Sequence, residues 1–272
     1  MEKREIRRAC WNGSVPVCFR LSVKDTAAGA EAPMPLYVMV PRLSYFPMIF
    51  DRVKSHFLGV VPTALDEIWL ESAAGEPLRW HLAVGVLFDL CSGGAVPWQV
   101  TVHFSSFPED RLVRLSGLEA VKQQFMSNLK EANFLKHGDG SKVMSLSRSD
   151  QDSLWLSIGL ASDAAPQQFW EAADKLLPSE PSQLRSLAFR VFCGGQAAPK
   201  QLPLRPLNED GSPRTLGQAL AAFGCAAAAA PRVQGIVVPL EASCYDLQLT
   251  MQHCDGWVYV AVDGGDAAGE RK

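Results

Sequence analysis

Lys130 stands where residue type and spacing together could support chemistry. Leu118, Val121, Phe125, Leu129 and Ala132 recur at helical spacing, with Leu135 at the edge of the stripe they form. At about 100° per residue, Lys130 falls roughly 140° from the centre of that stripe. Lys122 falls at its border, and Lys136 projects from the helix end. The face of Lys130 carries Glu119, Gln123, Ser127 and Glu131, and also the apolar Met126 and Phe134 one turn to either side. An exposed primary amine can accept an acyl group. That reaction needs an accessible nitrogen and a surface on which another protein docks; it needs no catalytic group on the acceptor. The apolar flanks offer the surface, and the flexible stem carries the amine past them. The plainer reading is a hydrated lysine, with Met126 or Phe134 packed against a neighbouring domain.

Other constellations point to less. The chain has no His-Glu-x-x-His, no Gly-x-Ser-x-Gly and no phosphate loop. Gly138-Asp139-Gly140-Ser141-Lys142 follows a helix and lacks phosphate-loop spacing, so it reads as a linker turn. His103 is expected on the outer face of a strand and His81 beside Trp80 in another. Neither shows an acid partner in sequence, so packed or surface roles are expected. His137 reads as a helix-end residue. Cys91 follows a short helix, where a thiolate nucleophile is conceivable, but nothing near it in sequence would lower its pKa; a structural thiol is expected. Gly264-Gly265 resembles the end of a small protein modifier, yet only Asp263 separates it from the last strand, too short a reach into an enzyme cleft. The seven cysteines are odd in number and form no Cys-x-x-Cys pair. Free buried thiols in a reducing cytosol are expected, with no metal site and no cofactor.

The elements that position Lys130 can be read outward from its helix. Ser116-Gly117-Leu118-Glu119 has capping-box spacing at the start. Lys136 and His137 suit the negative end, and Gly138 the left-handed position after it. Gly138 to Ser149 reads as a polar loop. Further helices are expected at Gln151 to Ile158 and Pro166 to Leu177, the latter with Phe169, Trp170, Ala173 and Leu176 on one face. Pro178 and Pro181 end that run.

On either side lies a similar order of elements. Upstream, strands are expected at Val15 to Ser22, Leu36 to Val40, Glu67 to Glu71, Leu78 to Leu82 and Trp98 to Phe104. A helix carrying Met48, Ile49, Val53, Phe57 and Val60 follows Pro47, and a short one spans Val84 to Leu90. Downstream, strands are expected at Leu187 to Cys193, Gln201 to Leu207, Val233 to Val238 and Trp257 to Val262. Helices are expected after Thr215 and at Cys244 to Met251. Pro203 and Pro206 mark an edge strand. The Ala226 to Ala230 tract extends a helix or lies in a loop. Strand-strand-helix-strand-strand-helix-strand is the order of the ubiquitin-like, or β-grasp, fold. The fold class expected is α+β, with two such domains flanking a helix-rich one.

Bulk properties narrow the function classes. The chain has 272 residues, 47% hydrophobic, and a net charge of −3, which gives no electrostatic reason to expect nucleic acid. Lys3, Arg4, Arg7 and Arg8 read as a solvated helix face. No apolar run approaches the roughly 20 residues of a membrane span, and no signal peptide is legible.

Several segments resemble the autophagy protein 5 family. They include Leu43-Ser44-Tyr45, Phe57, Trp80-His81, Leu87-Phe88-Asp89-Leu90, Pro97 to Phe104 and Ser106-Phe107-Pro108-Glu109. Phe125 to Ala132 and Leu135-Lys136-His137 are similar to that family's acceptor helix. Phe169-Trp170, Phe189-Arg190, Arg205-Pro206 and Thr215-Leu216-Gly217 continue the likeness. The resemblance implies an N-terminal helix (1–9), a ubiquitin-like domain (10–105), a linker (106–115), a helix-rich domain (116–178), a second linker (179–186) and a second ubiquitin-like domain (187–272). It implies that Lys130 receives the C-terminal glycine of an autophagy protein 12 type modifier, delivered by activating and conjugating enzymes. Gln123, Met126, Ser127 and Phe134 are then the candidate modifier-contact surface. A helix of autophagy protein 16 is the implied noncovalent partner. The assembly is implied to promote transfer of an autophagy protein 8 type modifier to phosphatidylethanolamine, as a non-catalytic cytoplasmic protein, peripheral at preautophagosomal membranes through its partners. The alternatives are a noncovalent ubiquitin-like binding module and a hydrolase or transferase using Cys91 or a histidine.

Overall fold

The computed structural model describes residues 3–26, 31–61, 67–159, 164–178, 180–194, 198–225 and 230–262. Gly264-Gly265 and residues 226–229 of the alanine tract lie outside them. The chain divides into two compact units, residues 12–123 and residues 1–11 with 124–272. Helix α1 spans Lys3–Asn12.

In the unit of residues 12–123, β1 (Ser14–Leu21) and β2 (Leu36–Pro41) form an antiparallel pair, with Val15 opposite Val40 and Val17 opposite Val38. A 3-10 turn, Phe46–Ile49, runs into α2 (Phe50–Phe57); Pro47 sits in its first turn, where a missing N–H costs nothing. Then come β3 (Trp69–Ser72), α3 (Val84–Cys91) and β4 (Trp98–His103). The sheet order is β2-β1-β4-β3, with β1 and β4 a parallel central pair. Val17, Phe19, Val100 and Val102 are buried with Phe46, Val53 and Phe57 and with Val84 and Leu87 of α3, so both helices cover the sheet's core. This is the expected β-grasp arrangement.

Two details depart from expectation. Leu78 to Leu82 is not a strand. Pro77 bridges Glu71, Leu78 donates to the Leu70 carbonyl at 2.7 Å, and Arg79 to Leu82 then turns away from the sheet. His103 is on the outer face, as read, but is buried. Trp69 stacks on its ring at 3.9 Å, and its Nε2 lies 2.9 Å from Glu71, with Asp25 3.7 Å from Nδ1. The neighbouring strand β3 and the turn after β1 supply the acid partners that linear sequence hides.

Within the other unit, α4 (Leu118–His137) continues from Gln124. It is followed by α5 (Ser141–Met144), α6 (Arg148–Gly159) and α7 (Ala165–Ala173), which tightens into a 3-10 turn at Asp174–Leu176. The stretch read as a polar loop therefore holds a helical turn. Asp139 accepts from the Ser141 amide and hydroxyl, which starts the turn, and Val143 is buried. Gly138 has φ +86°, and its amide caps the Phe134 carbonyl at 2.7 Å, as its position suggested.

The second β-grasp sheet follows: β5 (Phe189–Cys193), α8 (Leu216–Ala222), β6 (Arg232–Val233), β7 (Ile236–Val237), α9 (Cys244–Thr250) and β8 (Val258–Val262). Its order is β5-β8-β6-β7, with β5 and β8 parallel at one edge and β6 antiparallel to β8. Thr215 caps α8 in a capping box with Gln218. Leu187, Phe189, Val191, Leu216, Leu220, Val258 and Val260 form the core. Gln201 to Leu207 is no strand; Leu204 makes only an isolated bridge to Leu187, because Pro203 and Pro206 cannot donate to a ladder. Val233 to Val238 is a tight hairpin, not one strand. Gln234 and Gly235 both take positive φ, 53° and 78°, as a two-residue hairpin turn demands.

The solvated basic face is also corrected. Arg4 and Arg8 are exposed, but Arg7 is not free: it donates to the Leu249 carbonyl and to Asp174, both at 2.9 Å, and lies 4.1 Å over the Trp170 ring. Ile6 and Cys10 pack on the same unit's core. The cysteine reading is corrected too. Cys193 and Cys225 form a disulfide across 32 residues, a cross-link worth about 3.5 kcal/mol in the chain-entropy account. Cys18, Cys244 and Cys254 are buried thiols.

In residues 12–123 one close approach invites a test. The Gly85 amide donates to the Arg42 carbonyl at 2.8 Å. Arg42 in turn donates to Gly85 O at 3.1 Å and to buried Asp89 at 2.6 Å. A Cβ on Gly85 would stand 2.9 Å from the Arg42 Cβ. Gly85→Ala is expected to destabilise by about 1–3 kcal/mol, read as a lowered denaturation midpoint.

Candidate functional site

The site is built on the part of α4 from Gln124 onward. Phe125, Leu129 and Ala132 of the apolar stripe are buried, and Leu135 is half-buried at its edge. Phe125 meets Trp155 of α6 with ring centroids 5.6 Å apart. Two readings of this helix fail. Leu118 is 49% exposed; it lines an open cavity of about 450 Å³ in the unit of residues 12–123, with Pro47, Phe50 and Phe107. Lys136 does not project from the helix end but is 1% exposed. Seven residues past Leu129, it returns to within about 20° of the same azimuth and enters the core.

Polar side chains hold the buried face in one orientation. Asn128 donates to Asp255 and accepts from Arg190 and Gln124, each at 3.2 Å. Its backbone carbonyl accepts from the Trp257 indole at 3.0 Å. Arg190 lies with its guanidinium carbon 4.0 Å over the Trp257 ring, and donates to Tyr259 at 3.2 Å and to Glu131 at 2.7 Å. Tyr259 donates to Asp255 at 2.7 Å. Burial pushes the Asp255 carboxyl up, against the Tyr259 hydrogen bond and the Arg190 cation. Lys136 donates to Gln252 at 2.8 Å. Burial lowers its pKa to about 7, with nearby Asp255 acting the other way. None of these tertiary partners was legible beforehand; they lie 59 to 129 residues from α4 in sequence.

Lys130 is left outside this packing and is exposed. Residues 126, 127, 133 and 134, its neighbours at three and four positions, are Met, Ser, Asn and Phe, so no acid on its own helix pairs with it. Among the described residues it enters no ion pair. Ser127 is exposed, Met126 half-buried and Phe134 56% exposed. Gln123, which belongs to the unit of residues 12–123, is exposed. The free amine between Met126 and Phe134 can receive an acyl group without rearrangement of the core.

The other candidates are weaker. Burial pushes the half-buried Cys91 thiol up, a shift Arg79 opposes and Glu76 assists, which disfavours a thiolate nucleophile. His137 gives its ring nitrogen to the Leu176 carbonyl at 3.0 Å, and burial lowers its pKa. No helix of the described residues is long and apolar enough to cross a membrane.

Three family domains match in succession. Residues 10–104 match "Autophagy protein ATG5, UblA domain", residues 118–179 its "alpha-helical bundle region" and residues 186–262 its "UblB domain". The chain is 30% identical to autophagy protein 5 of Drosophila melanogaster over 97% of its own length and 98% of that protein's. To the Aspergillus terreus protein of the same name it is 28% identical, over 95% and 96%. A crystal structure of Kluyveromyces marxianus Atg5 superimposes with a TM-score of 0.84 at 21% identity, covering 96% of this chain and all of that one.

Lys136 carries a testable pH dependence. The unfolded chain keeps this proton to about pH 10.5, the folded one only to about 7. Between these values the unfolded state binds more protons, so this group's contribution to stability rises with pH and is least below 7. Lys136→Met removes the desolvated cation, so relative to the parent it is expected to be most favourable at and below neutral pH. Its advantage over the parent in denaturant titrations should shrink towards pH 10.

Proposed function

This chain belongs to the autophagy protein 5 family, and from that premise we propose that it is a non-catalytic scaffold, conjugated through Lys130 to an autophagy protein 12 type modifier. The observation that supports this reading is the exposed Lys130 amine, in no ion pair among the described residues, on a helix whose opposite face is buried at Phe125, Leu129 and Ala132. In the step itself, the neutral amine attacks the activated C-terminal glycine carbonyl of the modifier. The nitrogen–carbon bond forms, the conjugating enzyme's leaving group departs with the electron pair, and the nitrogen releases its extra proton to water. Met126, Ser127 and Phe134 form the surface against which the modifier rests.

The wider role follows as part of the same proposal. The conjugate binds a helix of autophagy protein 16 and promotes transfer of an autophagy protein 8 type modifier to phosphatidylethanolamine. Activating and conjugating enzymes visit transiently. The protein works in the cytoplasm and at preautophagosomal membranes, held there by partners. The raised thiol of Cys91 argues against that residue as the nucleophile of a hydrolase or transferase.

Expression with the cognate modifier system tests this. A mass shift with a branched peptide at Lys130 is expected, and Lys130→Arg, which keeps the charge but cannot be acylated, should abolish it. Partner binding without any adduct would favour a noncovalent module. Phe134→Ser is expected to slow conjugation several-fold while changing stability by less than about 0.5 kcal/mol, since the ring is exposed.

A further inference from the structure

We propose that Arg190 is a positioning residue for acylation at Lys130: it holds the carboxylate of Glu131 away from the acceptor amine. This rests on the reading of Lys130 as the acceptor.

From Met126 to Phe134, one turn to either side of Lys130, Glu131 is the one acidic residue. Its side chain is half-exposed, adjacent in sequence to the acceptor and long enough to swing. A carboxylate near an ammonium stabilises the protonated form, and only the neutral amine attacks a carbonyl. Residues one apart diverge by about 100° around the helix, so Glu131 would slow the reaction only by swinging its side chain towards the amine.

The structure removes it. Arg190 reaches Glu131 at 2.7 Å from β5. Arg190 is itself immobilised: the Trp257 ring lies beneath its guanidinium, and Asn128 and Tyr259 accept from its other terminal nitrogen. Arg190 is 9% exposed, while the Glu131 side chain that it holds remains about half open to water. Stacking and a fork of donors are what a guanidinium offers and an ammonium does not. Helix stability does not require the pair, because Glu131 lies mid-helix with both backbone groups engaged. What the pair changes is the charge beside Lys130.

The test measures initial conjugation rates from about pH 6 to 9 with the complete enzyme and modifier system. Arg190→Gln is expected to slow conjugation about three- to tenfold near pH 7 and to move its rise to higher pH. Adding Glu131→Gln to that variant should restore both. A lesion that merely loosened the fold would not be rescued at Glu131. Should Arg190→Gln fail to fold, Ser127→Glu supplies a carboxylate three residues before Lys130, with no arginine to hold it. It should be slower than Ser127→Gln by a similar factor, and the gap should narrow in about 1 M salt. Equal rates for the two Ser127 variants, or a slow Arg190→Gln unaffected by Glu131→Gln, would overturn the proposal. If instead Lys130→Arg still accepts the modifier, it is the acceptor reading that fails.

Discussion

Asn128 is gripped from several sides, and the presentation of Lys130 depends on that grip. Its side chain bonds Arg190, Asp255 and Gln124, and its carbonyl bonds the Trp257 indole. Apolar contact through Phe125, Leu129 and Ala132 drives burial but is non-directional. A stripe of that width tolerates some rotation of the helix about its axis. Hydrogen bonds to one side chain, at fixed distances and angles, tolerate much less. Two residues further along, at about 200° of rotation, Lys130 is thereby turned outward.

The same orientation discriminates among amines. Burial lowers the Lys136 pKa to about 7, which favours the neutral, nucleophilic form of that amine. It is 1% exposed and bonded to Gln252, so no acylating enzyme meets it. Lys130 has access. Selection between two lysines six positions apart thus follows from azimuth: one residue returns to the buried stripe and the other does not. Burial, not basicity, decides which amine can react.

Local patterns were the legible part. Period-two alternation located β1, β2 and β4, helical spacing located α2, α4 and α7, and Gly138 and Thr215 marked helix ends because their reasons are confined to a few neighbouring residues. The failures share a cause in distant neighbours or backbone chemistry. Prolines at 203 and 206 prevented a ladder that hydrophobicity suggested. Trp69, Asp25 and Glu71 gave His103 a buried setting that its own strand could not reveal. Lys136 was misread because a terminal lysine usually favours the helix dipole, whereas its azimuth placed it within the stripe. The face of Lys130 was legible as exposed; the Arg190 cluster behind it was not, since its members come from β5, β8 and the turn before β8.

A buried cluster of this kind is not an economical way to hold a helix. Asp255 and Lys136 are both desolvated, and burial moves each pKa towards the neutral form, a sign that the site opposes their charge. Apolar residues of similar volume would commonly be as stabilising or more so. What they would not supply is a unique rotation of α4 against the sheet, or a cation aimed at Glu131. Slippage of α4 by one residue would turn each side chain by about 100°, carrying Lys130 towards the core and Glu131 into its place. The directional bonds to Asn128 and Glu131 would then be lost together, leaving Arg190 and Asp255 buried without those partners. The polar cluster therefore contributes less by adding stability to the native register than by making the neighbouring register costly.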